Sequence, residues 1–230
     1  MRPKKYHKKQ LIDLLFKKKI ITMQQMINEI GCSRFTLLRN LKSHKHGYLT
    51  SYNFNAKYYT LTDIPEFDNY GLWTFQHVRF SKYGSLTNTI TQLIAHSPKG
   101  LEIEEVEEIL CVNVAPIVTK LFQQKSINRE KVGGTFVYFN HCNSEMEKQL
   151  KKRQDEKREK ISLLLPEPER IIAVLVDFIQ HPQSQSQLFE IYHRLSTTGI
   201  KINQDEIKAI FLYYNLNKKK SSKYWKFEQS

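Results

Sequence analysis

Two stretches of this sequence, 80 residues apart, follow one plan, and that repeat limits the possible folds more than any other feature. Residues 21–41 and 101–121 each carry apolar residues at helical spacing, then a three-residue break, then helical spacing again. The pattern predicts a short helix, a tight turn and a second helix in each copy. The matching apolar positions are Met26 with Val106, Ile30 with Leu110, Leu37 with Ile117, Leu38 with Val118, and Leu41 with Leu121.

Each copy also has the flanking signals of a larger unit. The second helix of each is expected to begin at an N-cap residue, Ser33 or Asn113, whose side chain can accept a hydrogen bond from a free backbone N–H. A further amphipathic helix precedes each copy, over 10–19 and over 85–96, and Ser85 is the expected cap of the latter.

Two short strands are predicted after each copy. They cover 47–51 and 57–61 in the first, and 127–131 and 135–139 in the second, where Gly133-Gly134 permits a tight hairpin turn. Three helices, of which the last two form a helix-turn-helix, followed by a hairpin make a winged helix.

The predicted fold is therefore mainly α with small β-hairpin wings (α+β): two tandem winged helix-turn-helix domains, a charged linker helix and a small helical domain. The aromatic motif at 71–84 is expected to add a first strand to the second domain, and core packing of Trp73 and Phe75 is favoured over base stacking. Asn203 is the expected N-cap of the last helix. The predicted boundaries are 1–64, 65–143, 144–165, 166–217, and a basic tail at 218–230.

The charge is concentrated at the N-terminal end. The chain has a net charge of +13, and residues 1–60 alone hold 13 Lys and Arg against two acidic residues, a net +11. Such a basic segment attracts a polyanion by counterion release and long-range steering. Together with a helix-turn-helix, it indicates double-stranded DNA as the partner.

The second helix of a helix-turn-helix enters the major groove, so the polar residues of 33–43 are the candidates for base contact. Lysines near the helix end and the wing are candidates for phosphate contact, and the basic arm for a minor-groove or purely electrostatic role. The predicted DNA-binding residues are Ser33, Arg34, Thr36, Arg39 and Asn40 on the helix, Lys42, Lys45 and Lys57 around it, Lys4, Lys5, Lys8 and Lys9 in the arm, and Arg129 and Lys131 in the second wing.

The second copy is poor in such residues. Its second helix offers only Asn113, Thr119 and Lys120 among apolar neighbours, and five glutamates precede it at 102–108. Consecutive glutamates on a short helix usually form a solvated face, which would repel phosphate. We expect this domain to support the first, extend the footprint or bind a protein partner.

The segments 33–37 and 58–61 resemble the N-terminal winged helix of antitoxin-type regulators in bacterial abortive-infection systems. The motifs at 71–84 and 129–134 resemble prokaryotic tandem winged-helix proteins that are often encoded beside mobile elements. The resemblance covers about residues 10–140 and implies DNA binding. It does not indicate which operator or process is involved.

Several functions are disfavoured. Phosphate-loop, dinucleotide-binding, nucleophile-elbow and zinc-protease motifs are missing, and the histidines and three cysteines are scattered, so we expect no enzyme, metal or cofactor. A carboxylate-based nuclease is the enzyme class that motifs alone leave open. No apolar run approaches the ~20 residues of a membrane span, and a signal-peptide core is missing, so a cytoplasmic location without a membrane partner is expected.

The leading hypothesis is a sequence-specific transcriptional regulator. The alternatives are an accessory DNA-binding factor of a mobile element or defence system that recruits a partner protein, and a protein-interaction adaptor without DNA binding. Selective regulators usually present two reading heads, so a homodimer through the helices of residues 145–215 is predicted.

Overall fold

The computed structural model describes residues 8–45, 47–181 and 188–216, and its fold is α+β. Lys4, Lys5 and the basic tail at 218–230 lie outside these residues. The chain divides into two compact units, residues 1–151 and 152–230. Within the described ranges, no helix is long and apolar enough to cross a membrane.

The first copy of the repeat folds around one small apolar core. Its three short strands form an antiparallel sheet in the order β1-β3-β2, in which Ile21 pairs with Tyr59. Leu11 and Leu15 bring the first helix onto this core, and Leu37 and Leu41 bring the third. Its elements are α1 (Lys8–Lys18), β1 (Ile21–Thr22), α2 (Met23–Ile30), α3 (Arg34–Lys42), β2 (Tyr48–Thr50) and β3 (Tyr58–Leu61).

The second copy repeats this order with a longer hairpin. Leu101, which stands where Ile21 stands in the first copy, bridges to Tyr138 as Ile21 pairs with Tyr59. The core again joins all three helices to the hairpin. The elements are α4 (Leu86–His96), α5 (Ile103–Leu110), α6 (Ala115–Gln123), β6 (Ile127–Val132) and β7 (Thr135–Asn140).

Of the three caps predicted within the two copies, Ser33 and Ser85 are confirmed and Asn113 is wrong. Ser33 accepts from the Thr36 N–H at 3.3 Å, and Ser85 accepts from the Asn88 N–H at 3.2 Å. Asn113 does not cap α6, because this helix begins at Ala115 with the buried Val114 as its N-cap residue. Pro116 in the first turn has no N–H to satisfy, and the Glu107 carboxylate accepts from the Val114 N–H at 2.9 Å.

The aromatic motif at 71–84 forms more than the single strand that was predicted. Strands β4 (Leu72–Phe75) and β5 (Val78–Ser81) make a two-stranded antiparallel hairpin of their own. Trp73 packs on Phe75 and Phe80 at centroid distances of 5.6 and 5.4 Å and remains half-buried. The Gly133-Gly134 turn joins β6 and β7, and both glycines have positive φ.

Polar contacts tie the two copies together within the first unit. The Tyr52 hydroxyl, just after β2, donates to the Leu110 carbonyl at the end of α5 at 3.2 Å. Arg79 of β5 donates to the Cys111 carbonyl at 2.8 Å. Asn53 donates to the His77 carbonyl and accepts from the Arg79 N–H. The last turn of α5 is therefore held by both preceding hairpins.

A long charged helix, α7 (Asn143–Ser162), follows the second copy. Its buried Gln149 donates to the carbonyls of Ile94 and Ser97 at 2.9 and 2.6 Å and accepts from the Asn140 N–H at 2.8 Å. These bonds fix the start of α7 against α4 and β7. Sequence reasoning treated this segment as a solvated connector and missed the anchor.

The second unit contains the helices α8 (Pro168–Gln180), α9 (Leu188–Thr197) and α10 (Gln204–Tyr213) around a core that includes Val174, Ile191 and Ile210. Asn203 caps α10 as predicted, in a capping box with Glu206. The buried Asp177 accepts two hydrogen bonds from Arg194, at 2.8 and 2.7 Å. This two-pronged pair satisfies a carboxylate that would otherwise be costly to bury.

Candidate nucleic-acid interface

The turn between α2 and α3 presents α3 to solvent. Gly31 ends α2 in the left-handed region at φ +74°, which glycine adopts without steric cost, and its N–H donates to the Ile27 carbonyl. Ser33 then starts α3. Leu37 and Leu41, four residues apart, bury one side of α3, so the opposite side is open.

The open side of α3 carries a row of three exposed side chains: Phe35, Arg39 and Lys42. They stand at i, i+4 and i+7, so they lie on one face, one turn above another. We call them the α3 row. Arg39 and Lys42 were predicted from the sequence. Phe35 was missed, although its position two residues before the buried Leu37 already places it away from the core.

Arg34 has a different position from Arg39. It is exposed, but it precedes Leu38 by four residues and Leu41 by seven. It therefore lies over the side of α3 that faces the core, at the helix start. The central cation of the open face is Arg39.

The predicted polar readers Ser33, Thr36 and Asn40 are partly engaged within α3. The Ser33 and Thr36 hydroxyls lie 3.1 Å apart, and Ser33 also serves as the cap. The Asn40 side-chain amide donates to the Thr36 carbonyl at 2.8 Å and is half-buried. These bonds order the first turns of the helix, and the bond to Thr36 uses one of the two N–H donors of the Asn40 amide.

Further cations surround α3. Lys8 of α1 donates to the Ser43 carbonyl at 2.8 Å, which places a positive charge at the negative end of the α3 dipole. Lys9, Lys45 and Lys57 are exposed. The structure thus places Lys8 at the end of α3, which Lys45 follows closely in the chain, whereas Lys57 lies just before β3.

The corresponding face of α6 has little of this chemistry. Thr119 occupies the register of Arg39, and its hydroxyl donates to the Ala115 carbonyl at 2.8 Å. Pro116 occupies the register of Thr36, and Ala115 that of Phe35. Lys120 is the exposed cation of this helix.

The glutamates before α6 do not form one solvated face. Glu102 and Glu105 make a reciprocal capping box at the start of α5, and Glu107 accepts from the Val114 N–H. Glu104 and Glu108 remain exposed. Three of the five carboxylates therefore serve the local backbone, and a protein partner on this face stays a prediction.

Arg129 of β6 is held between two aromatic rings. Its guanidinium carbon lies 4.1 Å from the Phe122 ring centroid and 4.3 Å from that of Phe136. Cation–π contact of this kind fixes the side chain but leaves its N–H groups able to donate. Lys131 is exposed, with its ammonium 6.0 Å from the Phe136 centroid.

The turn before α6 differs from the turn before α3 in being tied to the preceding hairpins by hydrogen bonds from Tyr52 and Arg79, although Cys111 and Asn113 remain exposed. Tyr52 packs against the core of the second copy and donates to Leu110. Burial raises the Tyr52 pKa to about 12, while the nearby Arg79 acts in the opposite direction. The phenol therefore stays neutral and remains a donor at physiological pH.

In the described parts of the chain, no three His, Cys, Asp or Glu side chains are grouped so as to hold a metal ion. Cys32, Cys111 and Cys142 are free thiols. Comparison of the chain with protein-family models, with curated proteins and with solved structures found no match.

Proposed function

We propose that this protein binds double-stranded DNA sequence-specifically, with α3 as the recognition helix of the first of two tandem winged helix-turn-helix domains. The observation that carries the proposal is the open face of α3, on which Arg39 and Lys42 are exposed within the most basic quarter of the chain. A transcriptional regulator is the role that fits best.

The order of elements supports this reading. α2, a left-handed turn and a capped α3 are followed by the antiparallel β2–β3 hairpin. In helix-turn-helix proteins the second helix enters the major groove and its N-terminal half meets base edges. On that helix Arg39 can donate two hydrogen bonds to a guanine, and Lys42 can meet a phosphate.

Electrostatics supports the same surface. Residues 1–60 have a net charge of +11, whereas residues 61–140 contain seven basic and nine acidic residues. An adaptor without DNA would have no use for this separation. The second domain, in which hydrogen bonds tie down the turn before α6 and Lys120 is the one cation of that helix, is proposed to hold the first in place and to add backbone contact through Lys131.

The test is binding of the full chain to random-sequence duplexes, followed by selection of bound sequences at increasing salt. The logarithm of the association constant should fall linearly with the logarithm of the salt concentration, with a slope of about −0.9 per neutralised phosphate. The selection should also enrich a consensus sequence. Salt-independent binding, or no binding at low salt, would contradict the proposal. The genomic positions of the consensus then distinguish the roles. A consensus in the promoter of this protein's own gene implies a repressor, and a consensus at the ends of a mobile element implies an accessory factor.

A homodimer through the C-terminal helices is proposed as well. On α8, Ile172, Val176 and Ile179 are exposed at i, i+4 and i+7, which gives one apolar stripe. A two-fold axis brings the same patch of each subunit together, so such a stripe can pack on its own copy. Sedimentation of the full chain and of Ile179→Glu should give a dimer and a monomer, respectively; a monomeric wild type at micromolar concentration would contradict this.

A further inference from the structure

Phe35 is an unusual residue for a basic helix face. Its exposed fraction is 75%, the largest among the exposed large apolar side chains that the first unit shows in its described residues. Single exposed apolar residues are common on protein surfaces, so exposure alone indicates no function. The position of Phe35 in the α3 row is the feature that needs an explanation.

Two of the other three exposed phenylalanines of this unit, Phe54 and Phe136, have aromatic or cationic partners, and Phe16 has none among the described residues. Phe54 meets the Tyr58 ring at 5.9 Å, and Phe136 meets Arg129. Among the residues that the structure describes, no aromatic ring or cation stacks on Phe35. Its side chain therefore projects from the first turn of α3 without an intramolecular partner of this kind.

The first turn of a recognition helix is the part that reaches base edges. In the major groove, the thymine 5-methyl is the distinctive apolar group of the bases, and a phenyl ring can pack against it. Phe35 and Arg39 are four residues apart, or about 6 Å along the helix axis. Successive bases of one strand are about 3.4 Å apart, so the two side chains can reach bases within about two steps of each other.

We propose that Phe35 is a specificity-determining residue that packs against the 5-methyl group of a thymine, within about two base steps of a guanine bound by Arg39. The inference rests on the proposed function and deepens it, because it names the base pattern that the helix prefers. In the second copy the same register holds the small Ala115, whose single methyl offers much less apolar surface for this contact.

Replacing thymine by deoxyuridine in the selected duplex tests the inference, since the exchange removes the methyl group and keeps base pairing. Loss of one apolar contact of this size corresponds to about a threefold to tenfold drop in affinity. Wild type should show that drop at one or two thymines. Phe35→Ala should bind thymine and uracil duplexes equally, with about the affinity of wild type for uracil.

Phe16→Ala is the matched control, because Phe16 is also an exposed phenylalanine but lies on α1. It should keep the wild-type preference for thymine, and circular dichroism should show that both variants are folded. The inference would be overturned, and the proposed function left standing, if replacing each thymine by deoxyuridine never changes the affinity while binding still depends on salt and on Arg39. The same holds if Phe35→Ala keeps the full preference. Failure of wild type to bind any duplex, or to enrich any sequence, would overturn both.

Discussion

Helices α3 and α6 occupy the same place in the two copies of the repeat, yet they present different surfaces. α3 begins after a three-residue break and α6 after a four-residue break, and both bury a leucine at the same register, Leu41 and Leu121. On the open side, Arg39 of α3 is replaced by Thr119 of α6. The comparison indicates that the buried positions specify the architecture, whereas the exposed positions are free to differ and carry the function.

The turns that precede α3 and α6 also differ in their contacts. The turn at Gly31 leads to an open helix, while the turn at Cys111 is held by Tyr52 and Arg79. A turn that packs against a neighbouring hairpin is poorly placed to approach a duplex. Under the proposed function, this difference favours a supporting role for the second copy.

The largest expected effect is a loss of stability, and it tests the buried leucine that the two copies share. Leu41→Ala and Leu121→Ala each remove a fully or almost fully buried leucine and should each cost about 2–5 kcal/mol in the free energy of unfolding. Chemical denaturation of the full chain measures both. A cost below about 1 kcal/mol at either position would mean that this helix is not packed as described.

The next effect is a loss of DNA affinity, and it tests the exposed position at which α3 and α6 differ. Arg39→Ala should weaken binding to the selected duplex by about 1–3 kcal/mol, since a bidentate base contact is lost. Thr119→Ala, at the same register of α6, should change affinity by well under 1 kcal/mol. Equal losses would show that both helices read bases and would end the assignment of separate roles.

The contact between the copies supplies a smaller effect that depends on pH. Tyr52→Phe removes the hydrogen bond to the Leu110 carbonyl and should cost about 1 kcal/mol of stability near pH 8. The folded-state pKa is raised to about 12 from 10, so the stability that the phenol contributes is complete below pH 10 and is lost as the pH rises towards 12. Denaturation at pH 8 and pH 11 should show the gap between wild type and variant shrinking, and an unchanged gap would argue against a buried phenol donor.

The smallest effect concerns Arg34. Because it lies over the core-facing side of α3, Arg34→Ala should weaken duplex binding by less than Arg39→Ala and mainly through lost charge, within about 1 kcal/mol. Measuring both variants at two salt concentrations separates charge from base contact. A larger loss for Arg34→Ala would move the centre of the interface to the helix start.

Much of this architecture follows from local signals. The sequence predicts the Ser33 cap, and the bond from the Thr36 N–H confirms it. It also predicts the hairpin turn at Gly133-Gly134, which the pairing of β6 with β7 confirms. The β4–β5 hairpin was missed because its two turn residues, Gln76 and His77, adopt positive φ, a conformation usually signalled by Gly or Asn. The Asn113 cap was wrong because α6 begins one residue later than that cap would place it, at Ala115, and the nearby Glu107 carboxylate accepts from the Val114 N–H.

The candidate site was predictable in part. The exposed Arg39 and Lys42 follow from helical spacing and charge, whereas Phe35 was set aside because apolar residues are ordinarily assigned to the core. The internal bond of Asn40 and the clamping of Arg129 between two rings depend on packing that spacing does not encode. Gln149 gave no signal either, since a lone glutamine in a charged helix looks solvated.

The most direct test of the divided roles is photo-crosslinking of the full chain to the selected duplex. A photoreactive phenylalanine analogue replaces either Ser43, at the end of α3, or Gln123, at the end of α6; both are exposed and stand at the same register. The assignment of separate roles to α3 and α6 predicts a covalent protein–DNA adduct from position 43 and little or none from position 123. Equal yields from both positions, or an adduct from position 123 alone, would contradict it.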